Sequence, residues 1–263
     1  MVDDRYSMVD GPELLTDVEK ETFVLRSPQL RNTRAIDVYL PASYAVDGRR
    51  RFPVVYMHDG QNLSDPSTAF GGRTWQLESA LGALAARGIE AIVVGVHNAG
   101  RSRIGEYSPY RDPRHAGGRG ERYVGFLEET LKPRIDARYR ASRARETTAL
   151  AGSSMGGLIS VYAFFREASI FGGAVVMSPS IWFGARRILE FVEAARYVRG
   201  RLYLDVGTEE GGGTLRDARA LARILRAKGY GRGEFKYVEA TGHGHQENDW
   251  ADRLPDALEF ILR

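Results

Sequence analysis

The 263-residue chain contains no cysteine. That single absence removes disulfides, thiolate-bound metals, iron–sulfur clusters and a cysteine nucleophile, so covalent chemistry requires another side chain. No unbroken apolar run approaches the roughly 18 residues of a membrane span. Residues 1–15 carry Asp3, Asp4, Asp10 and Glu13 without the apolar stretch of a secretory signal. A cytoplasmic protein with no membrane partner is the expectation. An excess of one charge is also lacking: 37 Lys and Arg stand against 34 Asp and Glu, a formal net charge of +3. So mild a field does not imply a nucleic-acid partner. Lysine is scarce as well, present only at Lys20, Lys132, Lys228 and Lys236, so nearly every cation is arginine.

What is present is 43% hydrophobic and 27% charged residues, enough for a real core, in a length that α/β folds fill as one unit. A single domain over residues 1–263 is expected. Residues 18–25 alternate apolar and polar, as do Ile36, Val38 and Leu40 against Arg34, Asp37 and Tyr39; this predicts antiparallel strands with one wet face. Continuous apolar runs at 53–57, 91–96, 149–151, 174–177 and 202–204 predict buried parallel strands, and 235–238 reads as the last strand. Helical spacing falls between them, at Leu77, Leu81 and Leu84, at Tyr123, Leu127, Leu131 and Ile135, and within 158–165, 188–198, 215–225 and 250–262. Pro255 is expected to kink the last of these. The alternation predicts an α/β fold: a mostly parallel central sheet, antiparallel N-terminal strands, and helices on both faces. Residues 97–120 show no convincing element. A Gly- and Arg-rich loop of that length after an interior strand is expected to help form a site at the carboxyl edge of the sheet.

The sharpest local signal is Gly152-Ser153-Ser154-Met155-Gly156, a G-x-S-x-G sequence between a predicted strand and a predicted helix. Glycines two residues either side permit the tight turn of a nucleophile elbow, which lifts the central serine above the sheet. Ser154 is the candidate nucleophile and Ser153 a neighbour without a catalytic part. Serine needs a general base, and in hydrolases of this architecture the chain order is serine, acid, histidine. His243 and His245 are the two late enough, and spacing does not choose between them. The acid is expected after the run at 202–206, where Glu210 best fits a Gly-x-x-acid turn, with Glu209 and Asp205 as runners-up; Gly211, Gly212 and Gly213 follow it. The oxyanion hole calls for the Met155 N–H and a second donor, Gly60 or Gln61, from the loop after the third strand. Asn62, at the end of that loop, is a candidate substrate contact. The His-x-His pair admits a metal, but no third ligand stands at a suggestive spacing, and no metal or cofactor is expected.

Several stretches together resemble the putative-esterase family of α/β-hydrolases, which includes esterase D, siderophore esterases, feruloyl and acetyl-xylan esterases and mycolyltransferases. They are residues 55–62, the 152–157 turn, Met177-Ser178-Pro179-Ser180-Ile181-Trp182, residues 207–210, and His245-Gln246-Glu247-Asn248-Asp249-Trp250. The resemblance selects His245, through the Glu247 and Trp250 that follow it, and implies that Trp182 lies near the substrate. It implies a serine carboxylic-ester hydrolase acting on a small-molecule ester through Ser154, His245 and Glu210 and an acyl-enzyme. An acyltransferase on the same residues and a non-catalytic binding protein on the same scaffold are the alternatives. The stretch Tyr107-Ser108-Pro109 is also shared with family members, and the sequence gives it no role. Six arginines in 97–122, against three acids, suggest a basic mouth for anionic or phenolic acyl groups, or simply a solvated loop.

Overall fold

The computed structural model describes residues 18–263, so the acidic segment 1–15 lies outside the described residues. Eight strands form one sheet: β1 (Glu19–Ser27), β2 (Asn32–Leu40), β3 (Val54–His58), β4 (Ile92–Val96), β7 (Thr148–Ser153), β8 (Gly173–Met177), β9 (Arg201–Gly207) and β10 (Phe235–Ala240). Their order is β1-β2-β4-β3-β7-β8-β9-β10. The β1–β2 and β2–β4 pairs are antiparallel and the rest are parallel. This is the mostly parallel sheet with antiparallel N-terminal strands that the alternating pattern predicts.

Side chains alternate across each strand, so one strand feeds two cores. Val55 and Met57 of β3 pack with Tyr39 and Val93 beneath α1 (Leu77–Ala85) and α8 (Glu247–Leu262). Val54 and Tyr56 point the other way, into the layer of α3 (Gly120–Phe126), α4 (Lys132–Arg138), α5 (Met155–Arg166), α6 (Arg187–Ala194) and α7 (Gly212–Ala227). α3 runs into α4 through a π-helical turn at Leu127–Leu131. α8 continues through Pro255 as one helix. Two of the three glycines after Glu210 are already inside α7, and only Gly211, at φ 87°, belongs to the turn before it.

Two expectations are corrected. Arg34, Asp37 and Tyr39 of β2 neither share one face nor face water: Arg34 lies on the side of Ile36 and Val38, Asp37 and Tyr39 on the other, and the three are at most 6% exposed. β4 pairs along β2, and each of the three side chains meets a remote partner. Arg34 meets Glu106 at 2.9 Å, Asp37 meets His97 at 2.8 Å, and the Tyr39 hydroxyl meets Ser64 at 2.8 Å. Nor is 97–120 structureless. It holds a 3₁₀ turn at Gly100–Ser102, the short helix α2 (Arg103–Glu106), and a two-residue hairpin of β5 (Arg111–Asp112) and β6 (Ala116–Gly117). Because the parallel strands share a direction, the turns after β3, β4, β7, β8, β9 and β10 gather at one edge of the sheet.

Candidate active site

Ser154 stands between β7 and α5 at φ 56°, ψ −120°, a backbone region costly for any residue with a Cβ. The turn holds because its neighbours are glycines. A Cβ on Gly152 would lie 2.7 Å from the Gly156 carbonyl carbon and 2.9 Å from the His58 ring. The Ser154 N–H donates to the Met177 carbonyl of β8 at 2.9 Å, and its own carbonyl accepts the Ser180 N–H at 2.9 Å. Its Oγ lies 3.1 Å from Ser180 Oγ. Met155 is the first residue of α5, so its N–H has no partner within the helix.

His245 follows β10, and its Nδ1 lies 2.8 Å from Glu210 Oε2. The Glu210 side chain is fully buried while that of His245 is 40% exposed. Glu210 Oε1 accepts the Gly207 N–H at 2.7 Å and a hydrogen bond from Ser178 Oγ. Ser178 Oγ in turn accepts Trp250 Nε1–H and Arg253 Nη2–H, each at 3.0 Å. The edge of the Trp250 ring system also packs on His245, centroids 4.9 Å apart at 82°. The other acids are engaged elsewhere: Asp205 is buried against Arg253 Nε at 3.0 Å, and Glu209 is exposed. His243 turns its Nδ1 toward the Asp249 carbonyl at 3.3 Å. Asp249 and Asp252 come near enough to His243 to form a three-ligand group, a juxtaposition that sequence spacing hides; Asp249 Oδ2 already accepts Gly244 N–H and Gln246 Nε2–H.

Ser153, Ser154 and His245 open onto one cavity of about 330 Å³, whose walls include Gln61, Asn62, Phe70 and Trp250. Gln61 belongs to a 3₁₀ turn, Gly60–Asn62, entered from Asp59 in the left-handed region at φ 57°, ψ 46°. Gly60 is a glycine for a reason other than substrate approach. A Cβ there would lie 2.5 Å from the Gly95 carbonyl carbon, so β4's backbone fills the space. Asn62 uses Oδ1 to accept the Phe70 N–H at 3.0 Å. Trp182 is not part of this cavity's lining: it is 45% exposed, with its ring edge-on to His115 of the β5–β6 hairpin at 5.5 Å.

Sequence reasoning missed the opposite wall. Asp59 accepts Arg103 Nε–H and Nη2–H, both at 2.7 Å, and Asn98 Nδ2–H at 2.7 Å. Burial works against that carboxylate, yet the Arg103 charge and these bonds hold its pKa below the ordinary value. Two charges of 97–122 are thereby paired with partners outside the segment, Arg103 with Asp59 and Glu106 with Arg34; they are of opposite sign, so the local excess of arginine is unchanged. Behind this wall His58 is buried with Nδ1 2.8 Å from the Tyr123 hydroxyl; burial drives its pKa down to about 3. Glu247, at the start of α8, lines the cavity, and burial raises its pKa.

The sheet order, the strained serine turn and the buried acid behind a histidine define an α/β-hydrolase. The chain matches the model of the Esterase family, described as putative esterase, over residues 27–261. It belongs to that family and is a carboxylic-ester hydrolase. It is 25% identical over 241 residues to an uncharacterized Bacillus subtilis protein, YbbA, covering 87% of this chain and 92% of that one. It is 30% identical over 154 residues to the siderophore triacetylfusarinine C esterase of Aspergillus fumigatus, covering 56% of this chain and half of the relative. Among solved structures, an IroE-like serine hydrolase from Shewanella oneidensis superposes with a TM-score of 0.76 at 21% identity, over 93% of this chain and 80% of that one. Among the described residues, no helix is long and apolar enough to cross a membrane.

Proposed function

We propose that this chain hydrolyses small-molecule esters by serine acyl transfer, with Ser154 as nucleophile, His245 as general base and Glu210 as the acid that orients it. The observation that carries this reading is that Ser154, on its strained turn, and His245, backed by buried Glu210 at 2.8 Å, open onto one cavity. Glu210 fixes the proton on Nδ1, which leaves Nε2 to take the Ser154 proton as Oγ bonds to the acyl carbon. The oxyanion accepts hydrogen bonds from the Met155 N–H and, from the 60–62 turn, the Gln61 N–H. Gln61 is preferred to Gly60 because it lines the cavity while Gly60 faces Gly95. The bond to the leaving alcohol then breaks, the alcohol takes the proton from Nε2, and water repeats the steps on the acyl-enzyme to release the acid. Side chains and main-chain N–H groups carry every step, so no metal or cofactor enters.

Substrate choice follows the cavity and the relatives. A volume near 330 Å³ with Phe70 and Trp250 against Gln61, Asn98 and Arg103 suits a small acyl group with polar substituents. Siderophore esters, the substrate class named for the Aspergillus relative, are therefore the class to assay beside simple esters.

The test is turnover of p-nitrophenyl acetate, butyrate and octanoate by wild type, Ser154→Ala and His245→Ala. Losses of about 10³-fold or more in both variants are expected, with fluorophosphonate labelling of the wild type and none of Ser154→Ala. A folded wild type that neither turns over nor labels sinks the reading. Excess acceptor alcohol separates hydrolysis from transfer: hydrolysis leaves the yield of acid unchanged.

A further inference from the structure

The geometry points to Tyr107 as a positioning residue: with Arg103 and Asn98 it holds the Asp59 turn in the conformation that delivers the Gln61 N–H to the oxyanion. This inference rests on the serine acyl-transfer reading. Five hydrogen bonds tie residues 98–107 to residues 59–61. The Asp59 N–H donates to Tyr107 Oη at 3.0 Å. The Asp59 carboxylate accepts two bonds from Arg103 and one from Asn98, each at 2.7 Å. The Asn98 N–H donates to Gln61 Oε1 at 3.1 Å. Asp59 needs such holding, because a residue with a Cβ at φ 57° is strained unless its surroundings over-determine it.

Tyr107 is suited to supply a fixed acceptor. It is fully buried, and its ring packs on His58 at 5.4 Å and Tyr123 at 5.1 Å, with the Arg103 guanidinium 5.1 Å from its centroid. Burial pushes its phenol well above the ordinary range, so Oη keeps its proton. The next residue fastens it to the hairpin. Ser108 Oγ bonds both the Tyr110 N–H and carbonyl at 3.0 Å, and the Ser108 carbonyl accepts the Gly118 and Gly120 N–H groups. The Tyr107-Ser108-Pro109 stretch thus acquires a role: it carries a rigid hydroxyl to the back of the turn. An oxyanion donor misplaced by a fraction of an ångström loses much of its effect, since such donors act by being pre-positioned.

A hydroxyl deleted elsewhere separates positioning from mere packing. Tyr230 is also buried, and its Oη bonds main chain too, the Val198 N–H at 3.3 Å and carbonyl at 2.6 Å, on the segment leading into β9 and away from the cavity. Tyr107→Phe and Tyr230→Phe are both expected to lower the unfolding temperature. Only Tyr107→Phe is expected to lower kcat for p-nitrophenyl acetate, by about tenfold or more with KM within about twofold, and to weaken phenylboronic acid, a tetrahedral-adduct former, by a matching factor. If Tyr107→Phe does not fold, Arg103→Lys, which keeps the charge and breaks the two-pronged contact, decides by the same kcat-against-KM pattern. Unchanged kcat, a loss in KM alone, or equal kcat losses in the two tyrosine variants overturns the inference. Ser154→Ala keeps the two failures apart: if it turns over like wild type, the serine reading has failed, whereas if it is inactive and Tyr107→Phe is normal, only the positioning role has.

Discussion

Two arginine–carboxylate clusters are built into the carboxyl edge of this sheet, and they put the same chemistry to different uses. In one, Arg103 grips Asp59 with two bonds, one to each oxygen, and Asn98 adds a third, so both oxygens of the Asp59 carboxylate are already engaged. In the other, Arg253 bonds Asp205 and Ser178, and Glu210 receives Ser178 and the Gly207 N–H on one oxygen only. Its second oxygen is left for His245. Residue type does not decide which carboxylate meets a histidine. Where the donors are aimed does, because a carboxylate engaged on both oxygens by one arginine holds a backbone turn, whereas one with its other donors on a single oxygen keeps the second for a histidine. Arginine beside Asp59 serves geometry at a cavity wall; arginine beside Asp205 serves the packing behind Glu210.

The largest expected effect comes from removing that difference. Glu210→Gln keeps the shape but can no longer favour the productive tautomer, and a fall of about 10³-fold in kcat for p-nitrophenyl butyrate is expected. Asp59→Asn tolerates the same left-handed backbone and keeps the turn partly held, so its kcat is expected to fall about tenfold. Steady-state kinetics on the two proteins check the ranking. Equal losses would mean that the two carboxylates do not divide the work as their hydrogen bonds indicate.

Much of this was legible in the sequence. The eight strands, most of the helices, the Ser154 turn and the carboxyl-edge location all follow from period and local glycine chemistry, which act over a few residues. His245 was separable from His243 only through the family resemblance, because both histidines sit in one loop and their partners arrive from elsewhere in the chain. Asp59, Arg103 and Tyr107 were not legible as a unit. Each looks like an ordinary loop residue, and their contacts span more than forty positions. The same limit explains β2: Arg34 and Asp37 read as solvent-facing because Glu106 and His97, which allow their burial, lie far along the chain. Periodicity reports which face is apolar, and it is silent on polar groups that are buried in pairs.

A second, smaller effect tests the packing side of the comparison. The Arg253 side chain is 6% exposed and the Asp205 side chain fully buried, whereas the Arg103 side chain is 27% exposed. Arg253→Met strands a buried charge, and a loss of about 3–5 kcal/mol in unfolding free energy is expected. Arg103→Met leaves Asp59, 5% exposed at the cavity wall, with its Asn98 bond, so its loss is expected to be smaller. Urea unfolding of the two variants measures both. Similar losses would remove the distinction between a pair that holds the core together and one that shapes a turn.

The smallest effect is in pH, and it isolates the Asp59 wall. His58 faces Asp59, Arg103, Tyr107 and Tyr123, and burial holds its folded pKa near 3, with Arg103 adding to the shift and Asp59 opposing it. The unfolded chain therefore binds a proton at His58 from about pH 6.5 downward while the folded chain does not. Stability from the neutral imidazole is full above that pH and is lost as pH falls toward 3. Asp59 behaves differently: its folded pKa is depressed, so its contribution persists down to about pH 4 and is lost only below. Between pH 6 and 4 the slope from this wall belongs to His58 alone and approaches about 1.4 kcal/mol per pH unit. His58→Asn is expected to remove that slope, so the gap between variant and wild type in denaturant-derived unfolding free energy narrows across the interval. A constant gap would mean that His58 is already protonated in the fold, and that the wall carries an arginine and an imidazolium against one carboxylate.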